Sequence, residues 1–302
     1  MRFTPTFLLL VGLTGGSAAA QSAKPIPNSS QDADVAAVKR AGGVVTVDTQ
    51  RPDRPATGVK LFGPQFTDAD LVPLKGLPSL RTLDLTNSKI TGAGLKHLKG
   101  LKSLQSLHLT NTRVTGAGLV HLKGMTNLRE LRLYGTQVAD AGLVHLKGLK
   151  TLEALNLDLT RITDAGLAHL KGLTSLRRLS LHGTKVTNAG LAHLKGLRNL
   201  KVLILHATKV TDAGLAHLKG LTGLTRLGLA YNTGITDAGL VHVVGLTNLQ
   251  TLGLGYTRIT DAGLETLYGL TKLRTLYLYR TGVTPAYVKA FRADMPKCNV
   301  GY

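Results

Sequence analysis

The chain has 302 residues, a formal net charge of +20, one cysteine and no tryptophan. A single cysteine excludes an internal disulfide framework, so the stability of the fold has to come from packing. No apolar run reaches the roughly 20 residues that a membrane-spanning helix needs, so the sequence predicts no transmembrane span in the mature chain.

The first twenty residues are typical of a secretion signal. Arg2 provides a positive start, residues 7–13 form a short apolar run, and three alanines end at Ala20. Residues 1–20 are therefore expected to be cleaved after Ala20, which predicts a secreted or periplasmic protein. An N-terminal segment that stays uncleaved is the alternative.

The part of the chain before the repeats is expected to form a leader and a cap. Residues 21–31 are polar and contain proline, which predicts a flexible leader. Residues 32–41 are expected to form a short helix, and residues 43–48 alternate like a strand. A degenerate first repeat begins at residue 58, and residues 32–76 together would cover the exposed first coil.

From Leu77 a 24-residue unit recurs almost letter for letter, as in LKSLQSLHLTNTRVTGAGLVHLKG. A fixed period of this length predicts a solenoid, in which each unit buries its apolar face against its neighbours. Such a chain offers a long surface rather than a catalytic pocket. The tandem repeats are expected over residues 77–283. Complete units start at Leu77, Leu101, Met125, Leu149, Leu173, Leu197, Leu221 and Leu246, and a ninth begins at Leu270.

Within each unit, apolar residues alternate as in a strand, and a threonine then precedes a short helix. In the first complete unit, Leu83 and Leu85 are the buried strand positions, and Thr91 is the predicted helix N-cap. Ser88 is expected to bond the backbone of the next coil. Strands stack about 4.8 Å apart but helices need about 8–10 Å, so the stack must curve. This predicts a right-handed α/β solenoid with a parallel β-sheet on the concave face and short helices on the convex face.

Residues 284–302 depart from the repeat and are expected to form a C-terminal cap. Thr284 opens a predicted helix that runs to about Ala293. Residues 297–302 are expected to add a last edge strand. Cys298 is interpreted as a small packed residue within this cap.

The pattern LxxLxLxxTx(V/I)TDAGLxxLKGL, over about residues 58–283, resembles the leucine-rich repeat family. Its TDAGL segment is similar to the regular tandem repeats of bacterial secreted proteins and to those of eukaryotic F-box adaptors. The resemblance implies recognition of a protein or a glycan with no fixed chemistry, an analogy at the level of the fold. A signal-like segment rather than an F-box-like module precedes the repeats, which disfavours the adaptor role.

Strand positions that point out of the sheet are free of the packing constraint, and there the units differ from one another. In the late units these positions carry tyrosines beside small residues, and tyrosine and arginine are favoured at recognition hot spots. A middle group adds an aspartate and two histidines. The alternative is that the late rings cover the end of the sheet. The candidate partner-binding residues are Arg132, Tyr134, Asp158, His182, His206, Tyr231, Tyr256, Tyr277, Tyr279 and Arg280.

The sequence predicts no enzyme, cofactor or metal site. Asp158 and His182 are expected near hydrogen-bonding reach, but no serine or cysteine nucleophile shares their column. One histidine recurs in seven units and is interpreted as a copied surface position, because rings on adjacent coils lie too far apart to share a zinc ion. These histidines are His97, His121, His145, His169, His193, His217 and His242.

Two columns of basic residues account for much of the net charge. One column is placed at the ends of the helices and consists of Lys75, Lys99, Lys123, Lys147, Lys171, Lys195 and Lys219. The other column is placed in the strand-to-helix turns and consists of Lys89, Arg113, Arg161, Lys185, Lys209 and Arg258. Both are interpreted as helix capping and solubility, with attraction to an anionic polysaccharide or envelope surface as the alternative. Nucleic acid is disfavoured because neither column contains interleaved aromatic residues.

Together these patterns predict a monomeric, exported, non-enzymatic recognition scaffold that grips a protein, or a glycan, through its concave face. A structural spacer held at an envelope by its basic edges is the alternative. An enzyme is disfavoured because residues 21–76 are too short and too plain to form a catalytic module.

Overall fold

The computed structural model describes residues 29–302, so the predicted secretion signal and most of the predicted leader lie outside the described residues. Twelve strands form one sheet in chain order. The first two strands are antiparallel and every later pair is parallel. The strands are β1 (Val44–Val47), β2 (Ala56–Lys60), β3 (Thr82–Asp84), β4 (Ser106–His108), β5 (Glu130–Arg132), β6 (Ala154–Asn156), β7 (Arg178–Ser180), β8 (Val202–Ile204), β9 (Arg226–Gly228), β10 (Thr251–Gly253), β11 (Thr275–Tyr277) and β12 (Asn299–Gly301).

Short helical segments return the chain from one strand to the next. Most of them are a single turn, because each unit leaves few residues between its two leucine-rich segments. The α-helices are α1 (Ser29–Arg40), α2 (Asp164–Leu167), α3 (Asn188–Leu191), α4 (Asp212–Leu215), α5 (Asp237–Leu240), α6 (Asp261–Glu265) and α7 (Pro285–Asp294). The 3-10 segments are Asp68–Gly76, Gly94–Leu98, Gly116–Leu122, Asp140–Leu146, Ala168–Leu170, Ala192–Leu194, Ala216–Leu218 and Thr266–Gly269. Within residues 29–302 no helix combines the length and the apolar character that crossing a bilayer demands.

The repeated leucines form one continuous core. A single cluster of buried side chains runs from Val38 in α1 to Val300 in β12. Because each leucine packs on its copies in the coils before and after it, every unit completes the core of its neighbours. Phe66 and Phe291, the two largest fully buried side chains, lie near opposite ends of this core, where the regular repeat stops.

A ladder of carboxylates and threonines also ties successive coils together. The side chain of Asp212 accepts hydrogen bonds from the backbone N–H of Thr236 at 2.8 Å and from its hydroxyl at 2.7 Å. A Cβ atom on Gly239 would lie 2.2 Å from Oδ1 of Asp212, so the glycine of the TDAGL segment makes room for the preceding coil's carboxylate. The same bonds join Asp68 to Thr91, Asp140 to Thr163, Asp164 to Thr187, Asp237 to Thr260, and Asp261 to Thr284.

Two details differ from the sequence-based expectation. Helix α1 begins at Ser29, three residues before the predicted start, and so includes the end of the predicted leader. The buried hydroxyl of Ser88 donates to the carbonyl oxygen of Leu85 at 2.6 Å, within its own coil, so the predicted bond to the next coil is wrong. The equivalent Thr112 donates to Leu109 at 2.7 Å, because the turn after each strand folds this hydroxyl back over its own strand.

The predicted C-terminal helix and edge strand are both present. Helix α7 ends at Asp294, and the hydroxyl of Thr284 caps it by accepting from the backbone N–H of Tyr287 at 3.2 Å. Strand β12 continues the sheet in parallel register with β11. Cys298 is buried, as the sequence predicted.

The ladder can be tested at Asp212. Asp212→Ala removes both acceptors of Thr236, so we expect the free energy of unfolding to fall by about 1–3 kcal/mol. Asp212→Asn should cost distinctly less, because Asn188 already fills the equivalent place and exchanges two hydrogen bonds of 2.8 Å with Thr211. Urea unfolding followed by circular dichroism measures both variants. Equal losses would contradict the ladder.

Candidate binding surface

Each strand of the repeats turns alternate side chains away from the core. In β7 the central Leu179 is buried, whereas Arg178 and Ser180 face outward. Because neighbouring parallel strands pair without a register shift, equivalent outward residues form columns along the sheet. These outward residues of β3 to β12, with those in the turns that follow, are called the sheet wall below. The candidate partner-binding residues all belong to these columns.

Five tyrosines gather at the late coils of the sheet wall. Tyr231 and Tyr256 stack with ring centroids 4.2 Å apart and planes inclined by 14°. Tyr277 is the last residue of β11 and Tyr279 follows it two positions later; their ring centroids are 6.1 Å apart and their planes are inclined by 24°. All four, and Tyr302 with them, are 38–54% exposed. These five residues are called the tyrosine cluster.

The tyrosine cluster borders an open cleft of about 620 Å³, whose lining residues are Tyr231, Tyr256, Tyr279, Arg280, Thr281 and Tyr302. Tyr302 was missed by sequence reasoning because it lies beyond the repeat and has no counterpart in other coils. Its hydroxyl donates to the carbonyl oxygen of Val283 at 2.8 Å, which fixes the ring beside the cleft. Tyr277 lies against Gly301 outside the cleft lining.

Three residues of this region adopt a left-handed backbone. Tyr231, Tyr256 and Arg280 have φ values of 62°, 58° and 55°. Glycine or asparagine fills the same position in several earlier coils, as at Asn87 and Gly135. A residue with a large side chain pays about 1 kcal/mol or more for this conformation. Leu159 and Ala207 adopt it as well at the equivalent position, so the turn of the repeat imposes this conformation and it does not set the tyrosines apart.

A buried asparagine fixes the backbone next to Tyr231. The seventh unit has one extra residue, and Asn232, directly after the tyrosine, is 2% exposed. Its amide nitrogen donates to the carbonyl oxygens of Leu205 and Leu229, both at 2.8 Å. Its amide oxygen accepts from the hydroxyl of Thr208 at 2.9 Å. The turn that carries Tyr231 is thus anchored to two coils.

Glycines make room for side chains of the sheet wall. A Cβ atom on Gly228 would lie 2.5 Å from the ring of His206, and one on Gly253 would lie 3.3 Å from the same ring. A Cβ atom on Gly255 would lie 3.2 Å from the carbonyl oxygen of Tyr279. The imidazole of His206 therefore extends over the next two coils, beside Gly228 and Gly253.

The middle candidates, Asp158, His182 and His206, are linked mainly through the backbone. Oδ1 of Asp158 accepts from the backbone N–H of His182 at 2.7 Å, so the expected contact of these two residues does not involve the imidazole. Nδ1 of His182 lies 3.2 Å from the carbonyl oxygen of His206. Asp158 is only 9% exposed, and its other carboxylate oxygen accepts from the side-chain amide of Asn156 at 3.0 Å.

Arg132 belongs to a polar network that sequence reasoning missed. Its Nε and Nη2 lie 2.8 and 2.7 Å from Oε1 of Glu130, whose Oε2 accepts from the hydroxyl of Ser106 at 3.2 Å. That hydroxyl lies 3.1 Å from Nε2 of His108, and Oε2 of Glu130 lies 3.7 Å from the same nitrogen. In a catalytic triad the carboxylate contacts Nδ1 of the histidine and the hydroxyl contacts Nε2. Here both groups lie beside Nε2 of His108, so the network does not have the arrangement of a catalytic triad. Only the pairing of β4 with β5 brings these residues together.

Comparison with known proteins identifies the fold. Models of the leucine rich repeat match residues 78–138, 148–170 and 245–267. An internalin of Listeria monocytogenes is similar over 76% of this chain and 69% of its own, with 24% identity and a TM-score of 0.59. The chain is a leucine-rich repeat protein.

A second solved relative agrees with this assignment. A leucine-rich repeat protein of Leptospira interrogans is similar over 76% of this chain and 62% of its own, with 22% identity and a TM-score of 0.57. No curated protein matches the sequence. The single open sheet with short helical segments and these structural neighbours confirm the predicted α/β leucine-rich repeat solenoid.

The remaining sequence candidates of the leucine-rich repeat protein lie apart from the tyrosine cluster. Tyr134 is half-buried and precedes Asp158 by one coil in the same column. The seven column histidines are half-buried, and the basic residues of both columns are exposed. Within residues 29–302 no three metal-binding side chains come together.

His206 is held in its neutral form. Burial lowers the pKa of His206; the charge of His182 adds to this effect, Asp158 opposes it, and Arg226 also lowers the pKa. Nδ1 of His206 accepts from the backbone N–H of Ala230 at 3.0 Å, a bond that only an unprotonated nitrogen can make. The neutral ring of His206 therefore forms part of the wall surface and is fixed there by its hydrogen bond from Ala230.

The lowered pKa of His206 predicts a pH dependence of stability. A histidine whose pKa falls on folding stabilises the protein fully above its unfolded value of about 6.5, and this contribution is lost as the pH drops through the folded pKa. We expect the free energy of unfolding to fall from about pH 8 to about pH 5. The fall should be smaller in His206→Asn, whose side-chain oxygen can still accept from Ala230.

Urea unfolding across this pH range measures both proteins. Some pH dependence should remain in the variant, because burial also lowers the pKa of His97 and of His217. Identical pH profiles for the two proteins would show that His206 does not titrate as described.

Proposed function

We propose that this leucine-rich repeat protein is a non-enzymatic recognition scaffold that binds a partner protein through the concave face of its solenoid, with the tyrosine cluster at the centre of contact. The observation that carries the proposal is the gathering of five exposed rings, four of which line one cleft. Tyrosine supplies a large, rigid contact area and a polar tip, which favours it at interface hot spots.

The rings do not simply cover the end of the sheet. Tyr231 follows β9, three strands before β12, and its side chain is 54% exposed. Rings that sealed the apolar core would be buried, whereas these keep much of their surface in water beside fully buried leucines.

A protein is the partner that the size of the surface favours. The ten strands of the sheet wall, about 4.8 Å apart, give it a length of about 43 Å, which is enough for an interface of standard size. The cleft at the tyrosine cluster is open, and Arg280 at its margin adds a residue type that is enriched in interfaces. These features favour a broad contact over the enclosed pocket of a small-molecule site.

We further propose that the protein acts outside the cytoplasm as a monomer. The export proposal rests on residues 1–20, whose pattern is typical of a cleavable signal. The monomer proposal rests on the two ends of the core. Val38 of α1 and Phe291 of α7 are buried there, so neither end leaves a bare coil on which a second copy would stack.

The tyrosine cluster can be tested by substituting three of its residues. The combined change Tyr256→Ala, Tyr277→Ala and Tyr279→Ala should abolish capture of a partner from secreted or periplasmic extract. The unfolding midpoint in urea should stay nearly unchanged, because these rings are 38–47% exposed. Affinity capture followed by mass spectrometry measures the loss.

A matched control removes exposed apolar side chains elsewhere. Phe62, Val120 and Val144 are 56%, 43% and 40% exposed and lie outside the tyrosine cluster. Their combined replacement by alanine should leave capture intact. Partner capture that survives the tyrosine changes, or that fails equally in the control, would remove the argument for this surface.

A further inference from the structure

A second surface lies at the opposite edge of the sheet wall, where the middle strands begin. Arg178 and Arg226 are the first residues of β7 and β9, and Arg177 and Lys201 directly precede β7 and β8. These four exposed cations are called the basic ledge below. Neither basic column predicted from the sequence includes them. Their positions belong to the variable part of the repeat, so copying of a structural residue does not explain them.

The ledge has more positive charge than its own carboxylates can neutralise. Within residues 29–302, the ion pairs of Arg and Lys side chains in this region are those of Arg129 and Arg177 with Glu153 and of Arg132 with Glu130. The other three cations of the ledge, Arg178, Lys201 and Arg226, take part in none of the ion pairs of the described chain.

Glu153 shows how a carboxylate is held at this edge. Its Oε1 lies 2.7 Å from Nη1 of Arg129 in the preceding coil, and its Oε2 lies 3.7 Å from Nε of Arg177 in the following coil. One carboxylate is thus shared between guanidinium groups two coils apart. Beyond Arg177 the ledge continues through Lys201, while the next position of this column is Thr225. A carboxylate from another molecule would meet the same kind of cations there.

Two shallow sockets open beside the ledge. One encloses about 200 Å³ over the small Ala154, between Arg178 and the pair of Glu130 and Arg132, with Val202 on its far side. Asn156 and Ser180 add polar groups to its lining. The other socket encloses about 250 Å³ and is lined by Arg129, Thr151, Glu153, Ser175, Arg177 and Asn199. The first socket has an apolar floor at Ala154 and a polar rim of charged and amide side chains, which suits a sugar ring with an apolar face and polar edges.

We propose that the basic ledge binds a linear acidic polysaccharide of the polyuronate class. Arg178 and Arg226 occupy one column two coils apart, which is about 9.6 Å at the strand spacing of about 4.8 Å. In an extended, twofold 1,4-linked hexuronate chain the carboxylates alternate between the two sides, so the carboxylates on one side are two rings apart, a distance close to that between Arg178 and Arg226. Arginine binds carboxylates through charge-assisted, often bidentate hydrogen bonds, which gives the contact geometry as well as charge.

The spacing and composition of the ledge disfavour other polyanions. An extended acidic peptide presents carboxylates on one side every second residue, about 6.8 Å apart, which does not match the coils. Single-stranded nucleic acid needs aromatic side chains on which bases stack, and the ledge has none among its four residues. Val202, half-buried between Arg178 and Arg226 on the neighbouring strands, instead offers an aliphatic contact for a sugar ring.

The test compares two triple variants with the same change in net charge. The ledge variant carries Arg178→Gln, Lys201→Gln and Arg226→Gln. The control variant carries Lys171→Gln, Lys195→Gln and Lys219→Gln, three exposed lysines that end helical segments on the wall opposite the sheet. Isothermal titration calorimetry with polygalacturonate at low ionic strength measures Kd for each protein, and urea unfolding checks that each remains folded.

We expect the ledge variant to bind polygalacturonate at least about tenfold more weakly, and the control variant to bind within about twofold of the unaltered protein. Equal weakening in both variants, or no binding by the unaltered protein, would overturn the proposal. Binding of poly-L-glutamate as tight as that of polygalacturonate would also overturn it, in favour of an acidic protein segment.

The tyrosine cluster provides an independent check. The triple tyrosine variant should keep its full affinity for polygalacturonate, because the cluster lies at the opposite edge of the sheet wall. Loss of polygalacturonate binding in that variant would show that the glycan binds at the tyrosine cluster, and this would overturn the assignment to the basic ledge. Failure of partner-protein capture alone would leave the ledge result standing.

Discussion

The packing of each leucine against its copies in adjacent coils is the interaction on which the other features depend. It fixes the axial position of every coil, and the parallel strands then pair without a register shift. Two further contacts depend on that alignment: the bond from a threonine to the preceding aspartate, and the close approach of a glycine to the same carboxylate. A sequence that kept the leucines but lost the period would lose all three together.

The same constraint separates the residues that hold the fold from those free to bind. Inward positions must be leucine or a close relative, whereas outward positions on the strands have no repeated partner to satisfy. The wall accordingly changes character along the solenoid, from polar networks around Glu130 to the basic ledge and then to exposed tyrosines. Both proposed binding surfaces lie on this wall but at opposite edges, one where strands begin and one where they end. A protein partner and an acidic glycan therefore need not compete.

The sequence predicted the solenoid, the single core and the C-terminal helix, because each follows from periodicity or from local capping at Thr284. It also grouped Tyr231, Tyr256, Tyr277 and Tyr279, since a fixed period places equivalent residues side by side. It missed contacts that depend on backbone detail. The return of the Ser88 hydroxyl to its own strand and the hydrogen bond that Asp158 accepts from the backbone N–H of His182 both depend on dihedral angles that no pattern of residue types specifies. Tyr302 was missed because it has no copy in the repeat.

The central claim, that coils are interchangeable because each completes its neighbour's core, is tested most directly by removing one. In a chain that lacks residues 149–172, Gly148 is joined directly to Leu173. Asp140 then takes the place of Asp164 and can accept the two hydrogen bonds that Thr187 donates to Asp164 in the intact chain. A chain that lacks residues 149–160 loses the period instead. Urea unfolding followed by circular dichroism should show a cooperative transition for the first chain and none for the second. Failure of the 24-residue deletion to fold, or equal behaviour of both chains, would contradict the account.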